Sequence, residues 1–136
     1  MPVRPPTFRP KAARTARQAG AEYDARRGSA RERGYTARWD REAAAFKRAN
    51  PLCCGCEAIG LVVATEVVDH IVPHKGDHVL MWNVANRQPA CRWHHDVVKQ
   101  VLERQWAQGL ISCDALSLKS NEAIALSREM RPPPGG

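Results

Sequence analysis

Two short stretches decide the fold of this 136-residue chain: CCGC at residues 53–56 and CRWH at residues 91–94. Each stretch carries two metal-ligating side chains three positions apart. Two such pairs on tight turns are a common way to build a closed tetrahedral zinc site. A bound metal would hold the two stretches together across residues 57–90, and a small domain with few aromatic residues gains most from that restraint. The spacing predicts a structural zinc with four ligands: Cys53, Cys56, Cys91 and His94.

The remaining cysteines leave the choice of ligands partly open. Cys54 is also close to the first pair, but it stands only two positions from Cys56, so Cys53 has the better spacing. Cys54 and Cys113 are then left over, and we expect each to be a small buried apolar side chain or a free thiol. Disulfides are rare in a reducing cytosol, so five cysteines favour metal ligands over a disulfide framework.

Positive charge is concentrated in the first part of the chain. The formal net charge is +7, with 13 Lys and Arg against 5 Asp and Glu in residues 1–50, and 8 against 9 in residues 51–136. A basic segment of this kind is typical of proteins that bind nucleic acid. We interpret residues 1–34 as a basic, largely disordered arm. Its four early prolines and its acidic residues disfavour the alternative, a mitochondrial targeting peptide.

The distribution of apolar residues excludes one class of protein. No apolar run approaches the roughly 20 residues that a membrane span requires, which excludes a transmembrane protein. The first residues include arginines but lack the apolar segment of a signal peptide. We therefore expect a cytoplasmic protein, in a bacterial or phage-infected cell, that has no membrane partner.

Hydrophobic periodicity predicts an α+β domain at residues 35–112, followed by a C-terminal helix and a flexible tail at residues 113–136. The predicted elements are, in chain order, a helix at 36–49 capped by Thr36, a strand at 61–68 that continues to residue 72, an irregular loop at 74–87, a helix at 93–108 and a short helix near 121–130.

A second group of polar residues falls beside the predicted zinc site. Asp69 and His70 stand near the end of the predicted strand, and His95 directly follows the fourth predicted ligand. Because successive helical residues point in different directions, His95 should face another side of the helix start than His94. If these residues and Asn86 meet in the fold, the Asp69 carboxylate and one of the two imidazoles would hold a divalent cation while the other imidazole transfers a proton.

Several motifs occur together in this part of the chain. They are VDHIVPH at 68–74, Asn86-x-Gln88 and Cys91-x-x-His94-His95, with GYTARW at 34–39, NPLC at 50–53, Gly76-Asp77 and Trp82-Asn83. The combination resembles the HNH endonuclease family and its ββα-metal fold over roughly residues 33–105. It is most similar to small phage and prophage HNH nucleases that are often encoded beside terminase genes.

One departure from the family pattern concerns the metal ligands. The family usually has a second Cys-x-x-Cys followed by His, whereas this chain has Cys91-Arg92-Trp93-His94-His95. The zinc would then be held by three cysteines and one histidine, which is an accepted tetrahedral set. Spacing assigns His94 to the zinc and His95 to the active site.

The resemblance implies a metal-dependent enzyme that nicks or cleaves DNA and leaves 5′-phosphate and 3′-hydroxyl ends. His70 would be the general base that activates a water. Asp69 and His95 would hold one Mg²⁺ or similar ion that stabilises the leaving oxygen. Asn86 would brace the loop that orients His70. His74 would be a further metal ligand or a phosphate contact, or simply an exposed loop residue.

DNA is the partner that the resemblance implies, with phage terminase subunits as further partners. The cations expected to contact DNA phosphates are Arg87, Arg92 and Lys99. Two other interpretations stay open: a zinc-stabilised DNA-binding module without catalysis, and a packaging subunit whose nuclease acts only beside a terminase.

Overall fold

A computed structural model describes residues 17–18 and 36–130 of the chain. The predicted basic arm, apart from residues 17–18, and the predicted tail beyond residue 130 lie outside the described residues. The fold is α+β, as predicted: a two-stranded antiparallel sheet surrounded by helices.

The elements follow one another in a fixed order. They are α1 (Ala37–Ala49), α2 (Cys54–Glu57), β1 (Val67–His70), α3 (His78–Trp82), a 3₁₀ turn (Val84–Asn86), β2 (Arg87–Ala90), a π-helical turn (His94–Val98), α4 (Lys99–Ala107), a second 3₁₀ turn (Cys113–Leu116) and α5 (Asn121–Met130). Within residues 36–130, no helix has the length and apolar character that crossing a membrane requires.

The first predicted helix is confirmed as α1. Trp39 is its buried anchor and packs on Val68 of β1 and Met81 of α3. Thr36 occupies the cap position, but its side chain makes no capping hydrogen bond. At the other end the Asn50 side chain donates to the Phe46 carbonyl at 3.0 Å, which satisfies one of the carbonyls that a helix end leaves free. The helix therefore lies against the sheet through Trp39.

The predicted strand at 61–72 is too long, because β1 covers only residues 67–70. The apolar residues before it pack on the cysteine-rich turn instead of pairing in the sheet. Leu61 and Val63 contact the buried cysteines, and the Val63 carbonyl accepts from the Cys53 N–H at 2.8 Å. Val62, between these two residues, has its side chain on the opposite side and is 69% exposed. Leu61 and Val63 thus cover the cysteine cluster, and the strand pairing of this segment is limited to one isolated antiparallel bridge between Ala64 and Leu52.

The predicted loop at 74–87 is also wrong, since it contains α3 and a 3₁₀ turn and is followed directly by β2. Each of the two short elements begins at an acceptor side chain. Asp77 Oδ1 accepts from the N–H groups of Val79 and Leu80, and Asn83 Oδ1 accepts from that of Ala85. Helices of three to five residues carry too few apolar positions for periodicity to reveal them; the Asp and Asn at their starts are the sequence signal that marks them.

The sheet and the following helix form the centre of the fold. In the antiparallel pair, Val67 lies opposite Ala90 and Asp69 lies opposite Gln88. The predicted helix at 93–108 is present, but it begins with the π-helical turn before it continues as α4, and Gly109 ends it with a φ of +74°. The predicted helix near 121–130 is confirmed as α5. Together these elements bury the main core: Val98, Leu102, Leu116, Leu118 and Ala123.

Candidate metal centre and adjacent polar site

The four predicted zinc ligands lie together in the structure. All are buried, and their ligand atoms lie within 4.8 Å of one another: Cys53, Cys56, Cys91 and His94. The Nδ1 atom of His94 is 3.3–3.6 Å from the three sulfurs, and two of the sulfurs are 3.8 Å apart. A tetrahedral zinc with bonds of about 2.3 Å to sulfur and 2.0 Å to nitrogen separates its ligand atoms by about 3.5–3.8 Å. The cluster therefore has the donor set and the dimensions to bind zinc.

Local backbone structure brings the cluster ligands to their places. Cys53 precedes α2, and its sulfur accepts from the Cys56 N–H at 3.5 Å, while the Cys91 sulfur accepts from the His94 N–H at 3.4 Å. Gly55 lies against the His94 ring: a Cβ added at Gly55 would be 2.4 Å from His94 Cδ2. Only glycine leaves room for the imidazole at this point of the turn.

The cysteines have strongly divergent proton affinities in the absence of metal. A hydrogen bond from the Cys91 thiol lowers the pKa of Cys53, and the same bond raises the pKa of Cys91. Burial, followed by the nearby Cys53 charge, raises the pKa of Cys56 to about 12. Cysteine binds metal as the thiolate, so a dication bound by these sulfurs would be balanced by their negative charges, and the thiols would release protons.

Ser127 of α5 fixes the tautomer of His94, and the sequence analysis missed it. The Ser127 hydroxyl donates to the Ala123 carbonyl at 2.7 Å, so its oxygen accepts from His94 Nε2 at 3.0 Å. His94 therefore carries its proton on Nε2 and presents the Nδ1 lone pair to the cysteines. The only signal in the sequence is that Ser127 stands four positions after Ala123 on the buried side of α5.

The second predicted pair, Asp69 and His95, also meets. His95 Nε2 lies 3.8 Å from Asp69 Oδ1, while His95 Nδ1 lies 2.7 Å from Asp96 Oδ1. Adjacent ligand atoms around an octahedral ion with bonds of about 2.1 Å lie about 3.0 Å apart, so the two atoms would have to approach by a little under 1 Å to share one ion. Asp69 is buried, whereas the His95 side chain is 35% exposed and borders a surface cleft of about 480 Å³. The two side chains therefore lie close to, but not at, the separation of adjacent cation ligands, and the solvent side of His95 is open.

His70, the residue after Asp69 in β1, is held in one orientation. Its ring stacks on Trp39, with ring centroids 5.0 Å apart, and meets the edge of His74 at 4.8 Å. His70 Nε2 lies 3.1 Å from the Met81 carbonyl. A carbonyl only accepts, so Nε2 carries the proton and Nδ1 has the free lone pair. Burial lowers the pKa of His70 below its ordinary 6.5, which keeps the ring neutral at pH 7.

Asn86 ties together the chain on both sides of the short helix α3. Its Oδ1 accepts from the Val72 N–H at 2.9 Å, and its Nδ2 donates to the carbonyls of Val72 and Leu80 at 2.9 and 3.0 Å. These bonds span the segment that follows His70 in sequence. His74 is half-buried within that segment, and its Nδ1 accepts from the Gly76 N–H at 3.1 Å.

Two of the three predicted phosphate contacts are not surface cations. Arg87 is only 8% exposed, and it lies over the Trp39 ring and pairs with Glu42 at 3.2 Å. Lys99 is 1% exposed, and its ammonium lies 3.1 Å from Asp69 Oδ2. The prediction is corrected for both, because neither presents its charge to solvent. Arg92 has an exposed side chain, 3.7 Å from Glu66.

The two cysteines outside the cluster differ in burial. Cys54 is buried with its sulfur 3.8 Å from Gln88 Oε1, and burial raises the pKa of its thiol to about 12. Cys113 is exposed. The expectation of a small buried side chain therefore holds for Cys54, and the expectation of a free thiol holds for Cys113.

The two sites meet at the π-helical turn, where adjacent histidines serve different neighbours. His94 faces the cysteines and His95 faces Asp69, so the assignment of His94 to the cluster is confirmed.

Comparisons of the chain with protein-family models, with curated proteins and with solved structures found no match.

Proposed function

We propose that the chain is a metal-dependent DNA endonuclease of the HNH type, with β1, β2 and the helix after them as a ββα-metal core and zinc in the cysteine cluster. One observation carries the proposal: a neutral histidine with a free Nδ1 lone pair directly follows, in β1, the aspartate whose carboxylate pairs with an imidazole. The three side chains are His70, Asp69 and His95. Together they offer a proton acceptor and a cation site; Asp69 and His70 are buried, and the His95 side chain is 35% exposed.

His70 is the general base of the proposed reaction. Its Nδ1 accepts the proton of a water that attacks the scissile phosphorus, and Nε2 stays bonded to the Met81 carbonyl throughout. Stacking on Trp39 prevents the ring from turning away. The lowered pKa keeps the lone pair available at neutral pH. The ring therefore accepts a proton without first having to lose one.

Asp69 Oδ1 and His95 Nε2 would hold a divalent ion such as Mg²⁺ in this proposal. When bound, the ion supplies positive charge that stabilises the phosphoryl oxygens and the leaving 3′ oxygen. Asn86 holds the segment after His70 against α3, so that the base and the cation ligands keep their relative positions. Product ends would be a 5′-phosphate and a 3′-hydroxyl.

Charge supports DNA as the substrate. The net charge of +8 in residues 1–50 would bring the chain to a polyanion through contacts that carry no sequence preference. The near-neutral remainder then carries the chemistry, and Arg92 is an exposed cation in that part of the chain. A phage terminase is the further partner we propose. Nicking that requires an added large terminase subunit would assign the chain to DNA packaging.

The test is incubation of zinc-loaded protein with supercoiled plasmid and Mg²⁺ or Mn²⁺. We expect nicking, and we expect His70→Ala to lower its rate by about 10²–10⁴-fold, as removal of a general base does. His78→Ala is the matched control, because His78 is an exposed histidine of the same segment. Equal rates for wild type and His70→Ala, or no nicking with any divalent ion, would overturn the proposal. DNA binding without nicking would then favour the non-catalytic zinc-stabilised module.

A further inference from the structure

We propose that Lys99 and Gln88 are positioning residues that clamp one oxygen of Asp69, and that the charge of Lys99 weakens the hold of Asp69 and His95 on their divalent ion. This inference rests on the proposed function, because it concerns the same cation site. It assigns a different role to a lysine that the sequence analysis expected to contact DNA phosphates.

Lys99 is fully buried at the first position of α4. Its ammonium lies 3.1 Å from Asp69 Oδ2 and 3.5 Å from Glu103 Oε1, and it donates to the His70 carbonyl at 2.8 Å. A lysine is almost never buried unless its charge is paired. Here one ammonium contacts both of the residues that the proposal places in the reaction, Asp69 through its side chain and His70 through its backbone.

Gln88 is the second half of the clamp. It lies opposite Asp69 in the sheet, and its Nε2 donates to Asp69 Oδ2 at 2.7 Å. Its Oε1 accepts from the Leu118 N–H at 2.9 Å, which fixes which end of the amide faces Asp69. Oδ2 thus has two buried donors, and Oδ1 is the oxygen that faces His95.

The two donors to Oδ2 differ in charge, and this predicts different consequences. Both restrict the Asp69 side chain and so aim Oδ1 at the cation. Only Lys99 also repels a cation, because its ammonium contacts the same carboxylate that the ion must share. Coulomb repulsion between a dication and an ammonium a few ångströms apart, in a poorly solvated place, outweighs the small gain from restricting one side chain. Loss of the Lys99 charge should therefore tighten ion binding while it disorders the site.

The test uses the zinc-loaded full-length chain, so that added Mn²⁺ does not enter the cysteine cluster. Free Mn²⁺ is measured by its paramagnetic resonance signal during titration, without DNA. We expect Lys99→Met to lower the Mn²⁺ Kd by about tenfold or more, since a repulsive charge is removed. We expect the same variant to lower the nicking kcat at saturating Mn²⁺ by about tenfold or more, since Asp69 and the His70 backbone lose their shared donor.

Matched variants separate charge from packing. Gln88→Met removes the neutral donor to the same oxygen, so it should lower kcat without tightening Mn²⁺ binding. Lys119→Met removes an exposed lysine elsewhere and should change neither quantity. His95→Ala added to Lys99→Met should abolish the tighter binding, which locates it at this pair. If Lys99→Met does not fold, as judged by its thermal unfolding, Lys99→Gln keeps a donor at this place without the charge and should give the same opposed changes.

The outcomes are distinct. A purely structural role for Lys99 would lower the unfolding temperature and weaken Mn²⁺ binding together. Folded Lys99 variants that bind Mn²⁺ no more tightly than the wild type would overturn the inference, even if the wild type nicks DNA and the proposed function stands. If the wild type does not nick DNA, the proposed function fails, while the Mn²⁺ titration still decides whether Lys99 weakens the cation site.

Discussion

The two candidate metal sites begin at adjacent residues and differ in how far they are closed. His94 is fully buried and joins three buried cysteines, so four ligand atoms surround one point. His95 is 35% exposed, and its Nε2 faces one carboxylate oxygen, so most positions around an ion would remain available. Closed four-ligand sites are typical of structural zinc, and open sites are typical of catalytic ions.

His94 and His95 are adjacent in one helical turn, and for this reason the open site depends on the closed site more than the closed site depends on the open one. Any metal that fixes His94 in the cysteine cluster also fixes the first turn of the helix on which His95 stands. In that turn the Lys99 N–H reaches back five residues to the His94 carbonyl, so the Asp69 contact of Lys99 depends on the same turn. Loss of the closed site should therefore disable the open site, whereas loss of the open site should leave the closed one intact.

The largest effect is expected from Cys53→Ser, which removes one ligand of the closed site. Structural zinc contributes about 10–16 kcal/mol in zinc-finger peptides, which is as much as the whole net stability of a typical domain. We expect the variant to purify without zinc and to be unfolded by circular dichroism. The wild type should contain about one zinc per chain.

Cys113→Ser is the matched control for this experiment, since Cys113 is exposed and far from the cluster in sequence. It should retain both zinc and fold. A Cys53→Ser protein that stays folded without metal would show that the cluster does not support the fold, and the asymmetry between the sites would disappear.

The second-largest effect is expected from His95→Ala, which should impair nicking without the loss of zinc expected from His94→Ala. His95→Ala should lower plasmid nicking by about 10²–10³-fold, the usual cost of removing a group that stabilises charge in the transition state. Its zinc content and thermal unfolding should stay close to the wild type, because the side chain is partly exposed and outside the cluster. His94→Ala should lose zinc, fold and nicking together. Equal loss of zinc in both variants would contradict the separation of the two sites.

Sequence spacing was sufficient for the closed site because each ligand pair lies within one turn. Local geometry alone holds Cys53 near Cys56 and Cys91 near His94. The long predicted strand failed because periodicity reports that residues 61–65 are mostly apolar or β-branched, but not which surface they cover. Here Leu61 and Val63 cover the cluster, and Val62 faces solvent. The π-helical turn adds one residue to a helical turn, and a single extra residue leaves no periodic signal.

The contacts of Lys99 show what sequence patterns do not reveal, namely which residues of different elements pair with one another. A lysine near the start of a helix ordinarily lies in solvent, and the carboxylate that buries this one is 30 positions away at Asp69. Gln88 and Ser127 were missed for the same reason, since each acts through a partner on another element. Pairings across elements depend on register and helix packing, which one sequence does not specify.

The third-largest effect is expected from a substitution at Gly55, which tests how tightly the closed site is packed. Gly55→Ala would place a Cβ 2.4 Å from His94 Cδ2, and the cysteines and Ser127 prevent the ring from moving away. Overpacking of this kind costs about 1–3 kcal/mol. Denaturant unfolding of the zinc-loaded protein measures the loss, with Glu57→Ala, an exposed neighbour on α2, as control. Unchanged stability would mean that the His94 ring does not lie over Gly55.

The smallest effect is expected from Ser127→Ala. Ser127 accepts from His94 Nε2 and so keeps Nδ1 free to bind metal, but it contributes one neutral hydrogen bond. Loss of such a partner lowers metal affinity by about tenfold, the low end of what is found for groups that orient a ligand. Competition with a zinc chelator measures the affinity, and Ser117→Ala, a partly buried serine outside the cluster, is the control. At saturating zinc the variant should fold and nick DNA normally, because His95 keeps its place once the closed site is filled. Reduced nicking at saturating zinc would mean that α5 also positions the open site, and the two sites would then be coupled through more than the π-helical turn.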